Sequence, residues 1–217
     1  GGRDEAADVD PGELGVPAQR AAQRAGAEPG QLFAVSDSAY GSQPAIYTID
    51  ATQTPARITG KTIVTRNGNP AQKLDLEGIA SDGEGGFWLA SEGRSDRLIP
   101  HAIYHVDADG EIQQEIALPA ELLAHEIRFG FEGIALRDNR LWMAVQREWG
   151  DDPKGQVKLI SYELDAEEWG AVAYPLEAAG GGWMGLSDLT IDGDWAYVIE
   201  RDNLIGAAAE TKKLGDT

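Results

Sequence analysis

The chain has 217 residues, enough for one sizeable core or two smaller domains, and its 42% hydrophobic content is that of a chain that folds. Eighteen Lys and Arg against 37 Asp and Glu leave a net charge of −19, which repels nucleic acid and anionic membrane surfaces and attracts cations. Cysteine is absent, which excludes disulfides, thiolate catalysis and cysteine-based zinc sites; no apolar run reaches the length of a membrane span, and the chain opens on Gly with no signal-peptide pattern.

Residues 1–30 match nothing later in the chain and read as a separate N-terminal segment. Within it, PAQRAAQRAGAE at 17–28 predicts a helix from its composition. From residue 31 onward the pattern becomes short apolar runs separated by Gly and Asp turns. FAVSD at 33–37 and AIYTID at 45–50 predict the first strands. DLEGIA at 75–80, the turn SDGEGG at 81–86 and WLASE at 88–92 predict a hairpin. AIYHVD at 102–107, the turn DADG at 107–110 and EIQQEIAL at 111–118 predict a second hairpin. PAELLAHEIR at 119–128 predicts one or two helical turns. FEGIA at 131–135, RDN at 137–139 and WMAVQ at 142–146 then repeat the first hairpin, and LISYEL at 159–164 follows. LSDLT at 186–190, DGD at 192–194 and AYVIE at 196–200 repeat it again.

Three series share one period near 55. Glu77 to Glu132 is 55 residues and Glu132 to Asp188 is 56. Asp37, Glu92, Gln146 and Glu200 follow one another at 55, 54 and 54, and AIYTID, AIYHVD and LISYEL are spaced by 57. Each unit reads as strand, tight turn, strand, longer loop, strand, turn, strand: a four-stranded antiparallel meander. Such a sheet cannot bury both faces alone, and radial stacking solves this, so the fold class is all-β, a β-propeller with blades of about 55 residues over 31–217. Units at 73–127 and 128–182 are complete; the first lacks a clear opening strand and the fourth stops after its second, near Asp202. With about thirteen strands, the chain reads as part of a larger propeller, a closed four-bladed ring being the alternative.

A carboxylate on an apolar run is costly unless paired or bound. In a propeller the opening strands line a central channel, so Glu77, Glu132 and Asp188 would converge on one mouth. Asp37, Glu92 and Glu200 close the second strands and would gather similarly. Rings of hard oxygen donors suit Ca²⁺. The competing account is that a repeated acid accepts N–H bonds from the next blade and is structural. Arg94, Arg147 and Arg201 lie close after the second-strand series and would fork onto phosphate oxygens of a substrate, or else form plain surface ion pairs. Asp75 reads as an exposed turn residue. His101, His105 and His125 lack ligand-like spacing and read as structural. Trp88, Trp142 and Trp195 recur near second-strand starts and read as packing between blades. Ser187, Ser36 and Ser91 lie outside any G-x-S-x-G elbow, and GGGW at 180–183 lacks the Lys and helix of a phosphate loop.

KLDLEGIASDGEGGFWLASE, FGFEGIALRDNRLWMAVQRE and GLSDLTIDGDWAYVIERDN together resemble the phytase-like "esterase-like activity" family, over about residues 31–205. The resemblance implies a β-propeller, export to the periplasm or exterior, and kinship with calcium-dependent phytases. It further implies a calcium-dependent hydrolase of a small phosphate ester or other ester, in which calcium and Arg clamp the phosphoryl group. Gln146 stands at one acid position, and the family's final blades are not represented. Two other readings remain: a non-catalytic exported propeller that binds a cation or a partner, and an esterase with an unrecognised nucleophile.

Overall fold

The computed structural model describes residues 21–22, 27–36, 43–94, 98–127, 129–204 and 212–216. Their secondary structure is almost entirely strand, in small antiparallel sheets. The first sheet is β1 (Ala21–Ala22), β2 (Gln31–Val35), β3 (Ala45–Asp50) and β4 (Arg57–Ile63), paired in that order. A short hairpin follows, β5 (Thr65–Arg66) with β6 (Asn69–Pro70). The second sheet is β7 (Leu76–Ser81), β8 (Phe87–Ser91), β9 (Ala102–Val106) and β10 (Ile112–Ala117). One helical turn, α1 (Ala120–Leu123), leads to the third sheet: β11 (Phe131–Arg137), β12 (Arg140–Val145), β13 (Gln156–Glu163) and β14 (Glu168–Pro175). The fourth holds β15 (Met184–Asp192), β16 (Trp195–Asp202) and β17 (Lys212–Asp216).

Four sheets in meander order agree with the repeat, with two differences of content. Ala21–Ala22, inside the stretch read as a helix, instead pairs antiparallel with β2 as the opening strand of the first sheet. β17 adds a third strand to the fourth sheet. The β5–β6 hairpin was also missed. Its turn residues Asn67 and Gly68 both have positive φ, 52° and 77°, which is the primed turn that an Asn-Gly pair favours.

Because side chains alternate along a strand, each inner sheet buries both faces, one against the sheet before it and one against the sheet after. Leu76, Ile79 and Leu89 pack with Phe33, Val35 and Ile46 of the first sheet. Trp88, Ala90 and Ile103 face the other way, onto Ile134, Leu141 and Met143 of the third. Ala135, Ala144 and Leu159 in turn meet Leu186, Leu189 and Val198 of the fourth. Opening strands of successive sheets abut: β7 lies against β11, and β11 against β15. The approach explains the glycine of the repeated E-G-I-A. A Cβ on Gly78 would sit 3.0 Å from the Gly133 backbone, and a Cβ on Gly133 would sit 2.5 Å from the Leu189 nitrogen.

The ladder registers correct the alignment of the fourth unit. A bulge interrupts each opening strand between Leu76 and Gly78, between Phe131 and Gly133, and between Leu186 and Asp188. The extra residues are Glu77, Glu132 and Ser187. Asp188 is therefore not the counterpart of Glu77 and Glu132; it stands where they have their following glycine. The same pairings set Glu92, Gln146 and Arg201 level with one another, and place Glu200 level with Ser91 and Val145. Likewise Tyr197, not Trp195, matches Trp88 and Trp142. Trp195 sits instead beside the Gly193 turn and is 56% exposed, so its expected packing role does not hold.

Candidate functional site

Asp75, Glu77 and Glu92 bring one carboxylate oxygen each to within 4.8 Å of one another. Glu77 is the bulge residue of β7, Asp75 lies just before that strand, and Glu92 just after β8. Antiparallel pairing lays those ends side by side: the Asp75 N–H donates to Ser91 Oγ at 2.9 Å, and the Glu92 N–H to the Asp75 carbonyl at 2.8 Å. Asp75 is 2% exposed and Glu77 4%, with Glu92 half-buried. Asp75 is thus no exposed turn residue. It was missed because the matching positions in the third and fourth units are Gly130 and Gly185, so the repeat carries no echo of it. Three carboxylates this close and this buried repel one another, and a hard divalent cation offsets that repulsion.

The matching positions elsewhere are built differently. In the third unit Glu132 is equally buried, but its Oε1 accepts the Gln146 side-chain amide at 2.7 Å. An amide donor there meets the carboxylate without a cation. In the fourth unit the positions are held by Gly185, Ser187 and Arg201. Asp188 is buried, and its Oδ1 accepts the Leu189 N–H at 2.8 Å beside the space left by Gly133. Glu200 is buried within β16, where its Oε1 accepts the Tyr174 hydroxyl at 2.6 Å and its Oε2 the Glu177 N–H at 3.2 Å. Asp37 lies outside the described residues. Of the six acids singled out by the repeat, the structure therefore gathers Glu77 and Glu92 with Asp75, and ties Glu132, Asp188 and Glu200 into separate hydrogen bonds.

The arginines diverge as well. Arg94 is half-buried in a backbone bridge with Ile99, at 2.8 and 3.0 Å. The Arg147 guanidinium lies 4.2 Å over the Trp183 ring and 5.9 Å from Phe129, with Glu148 3.7 Å from its Nε. Arg201 is exposed on β16. His101 and His105 engage Glu126 at 3.0 Å and Asp82 at 2.8 Å. Ser91 Oγ accepts from Asp75, and Ser187 Oγ donates to the Ile199 carbonyl at 3.4 Å; neither bond is to a histidine.

A cleft of about 520 Å³ opens elsewhere, between the third and fourth sheets, lined by Trp142, Tyr174, Ile191 and Trp195. It exists because Ala196 stands level with Leu141 of the third sheet, leaving Trp142 less covered than Trp88. None of the three clustered acids lines it. No helix among the described residues is long and apolar enough to cross a membrane.

Comparison with curated proteins gave no match. The family model described as "Phytase-like: Esterase-like activity of phytase" matches residues 21–216, nearly the whole chain, and the protein belongs to that phytase-like family.

Proposed function

We propose that the chain is a metal-dependent hydrolase of phosphate esters, exported from the cell, with its sheets arranged radially as propeller blades and Ca²⁺ held by Asp75, Glu77 and Glu92. One observation carries the metal reading. Among the described residues the three acids cluster in the second unit, whereas the matching positions of the third and fourth are Gly130, Glu132 and Gln146, then Gly185, Ser187 and Arg201. Acids that served only to join repeated sheets would recur with the sheets. The donor set is three carboxylates, the hard oxygen chemistry that calcium takes. Family membership supports the substrate class. A bound divalent cation would stabilise negative charge on a phosphoryl oxygen.

The protein's own residues supply the rest. Packing of Asp75 and Glu77 in the core holds the donors in place, so little reorganisation accompanies binding. Arg94, two residues beyond Glu92, and Arg147, braced on Trp183, are the guanidiniums assigned to phosphoryl oxygens. The abutment of β7, β11 and β15 supports the radial arrangement.

Release of phosphate from an aryl phosphate and from a polyphosphorylated polyol, with calcium or with excess chelator, tests the proposal. Calcium-dependent turnover is expected. A melting temperature that rises with calcium while no ester is cleaved would leave a cation-binding module. Turnover unaffected by chelator would remove the metal from the reaction.

A further inference from the structure

We infer that His101 is a positioning residue for the cation site, acting through the Gly93 amide to hold Glu92; this rests on the metal reading of Asp75, Glu77 and Glu92. Glu92 lies one residue past the end of β8, beyond the ladder that orients its neighbours. Two backbone bonds replace the ladder. The Glu92 N–H goes to the carbonyl of Asp75, another member of the trio, at 2.8 Å, and the next N–H, that of Gly93, goes to His101 Nδ1 at 2.9 Å. With Nδ1 accepting, the ring proton sits on Nε2, which donates to Glu126 Oε1 at 3.0 Å.

The backbone carbonyl of His101 accepts the Leu118 N–H at 3.1 Å, and its buried ring meets the Phe131 and Trp149 rings edge-on, with centroids 6.3 and 6.2 Å away. The ring also reaches the second support of Glu92. The Gly130 N–H donates to Glu92 Oε1 at 2.7 Å, and a Cβ on Gly130 would lie 2.4 Å from the His101 ring. A Cβ on Gly93 would collide at the same distance. One imidazole thus wedges between the two segments that aim the Glu92 carboxylate. Glycine stands at both because a side chain would displace the ring.

The two nitrogens can be tested apart. In His101→Asn the side-chain oxygen takes the place of Nδ1 and keeps an acceptor for Gly93. In His101→Gln the amide reaches toward the Nε2 position and leaves the Gly93 N–H without its acceptor. Calcium chloride is titrated into the full chain, with thermal unfolding read against excess chelator, so that any general loss of stability appears in the chelator arm. His101→Asn is expected to keep the wild-type calcium affinity, and His101→Gln to weaken it about tenfold or more. Equal affinities in both variants, whether retained or lost, would overturn the link through Gly93. A wild-type chain blind to calcium would remove the metal reading itself, and this inference with it. Should His101→Gln not fold, amide exchange in the wild type decides: calcium should slow exchange at Gly93 and Gly130, and unchanged exchange there counts against the wedge.

Discussion

Glu77 and Glu132 occupy the same bulge in adjacent sheets, and their different partners predict different responses. Glu92→Gln replaces one of three crowded carboxylates with a neutral amide. It should raise the melting temperature in chelator, through relief of repulsion, and abolish the rise caused by calcium. Glu132→Gln keeps an acceptor for the Gln146 amide and should leave the calcium response intact. Thermal melts of the two variants with and without calcium separate the roles; a lost response in both would mean that the site spans two sheets. Gly133→Ala is a steric case. Its Cβ would meet the Leu189 nitrogen at 2.5 Å and Asp188 Oδ1 at 2.7 Å, so a cost of about 1–3 kcal/mol is expected in urea unfolding. An unchanged midpoint would show that β11 and β15 leave room for a methyl group.

The turns between paired strands carry their own electrostatics. Asp82 follows β7, where burial would raise its pKa, but the His105 ring and the N–H groups of Glu84 and Gly86 outweigh this and hold it below the ordinary carboxylate value. A depressed folded pKa contributes stability that is present above the unfolded value of 3.8 and lost as pH falls through the folded value. Asp82→Asn should therefore cost about 1–2 kcal/mol at neutral pH. It should also make unfolding less steep with falling pH below 3.8, which circular dichroism during acid titration would show. The hairpin β5–β6 leaves only its Asn67-Gly68 pair as a mark in the sequence, because two-residue strands carry no periodicity. What anchors it is tertiary: Thr65 and the Gly68 N–H bond the Glu111 carboxylate, and Arg66 pairs with Glu115 of β10.

Across the whole chain the net charge of −19 acts against compaction. Raising sodium chloride from low to about 0.15 M shortens the screening length to about 8 Å and should raise the melting temperature in chelator. Calcium should act at far lower concentration than sodium if it occupies a defined site. A calcium effect no larger than that of an equal ionic strength of sodium would identify screening as its cause.

The period near 55, the turns and the four-sheet order were readable from the chain because alternation of apolar residues and Gly-Asp turns are local properties. The resemblance carried by the E-G-I-A strands pointed to the family to which the chain belongs. Glu77 and Glu92 were visible as members of two separate series. Their convergence with Asp75 was not, since it depends on how the ends of two paired strands meet, and the third and fourth units have glycine where Asp75 stands. The slip of one residue in the fourth unit was hidden for a related reason. Counting from acid to acid joins Glu132 to Asp188, while the even spacing of Leu76, Phe131 and Leu186, at 55 and 55, marks the true register. A bulge adds a residue to one strand without changing its composition, so only the ladder, where each residue must find its partner, decides which side chains share a site.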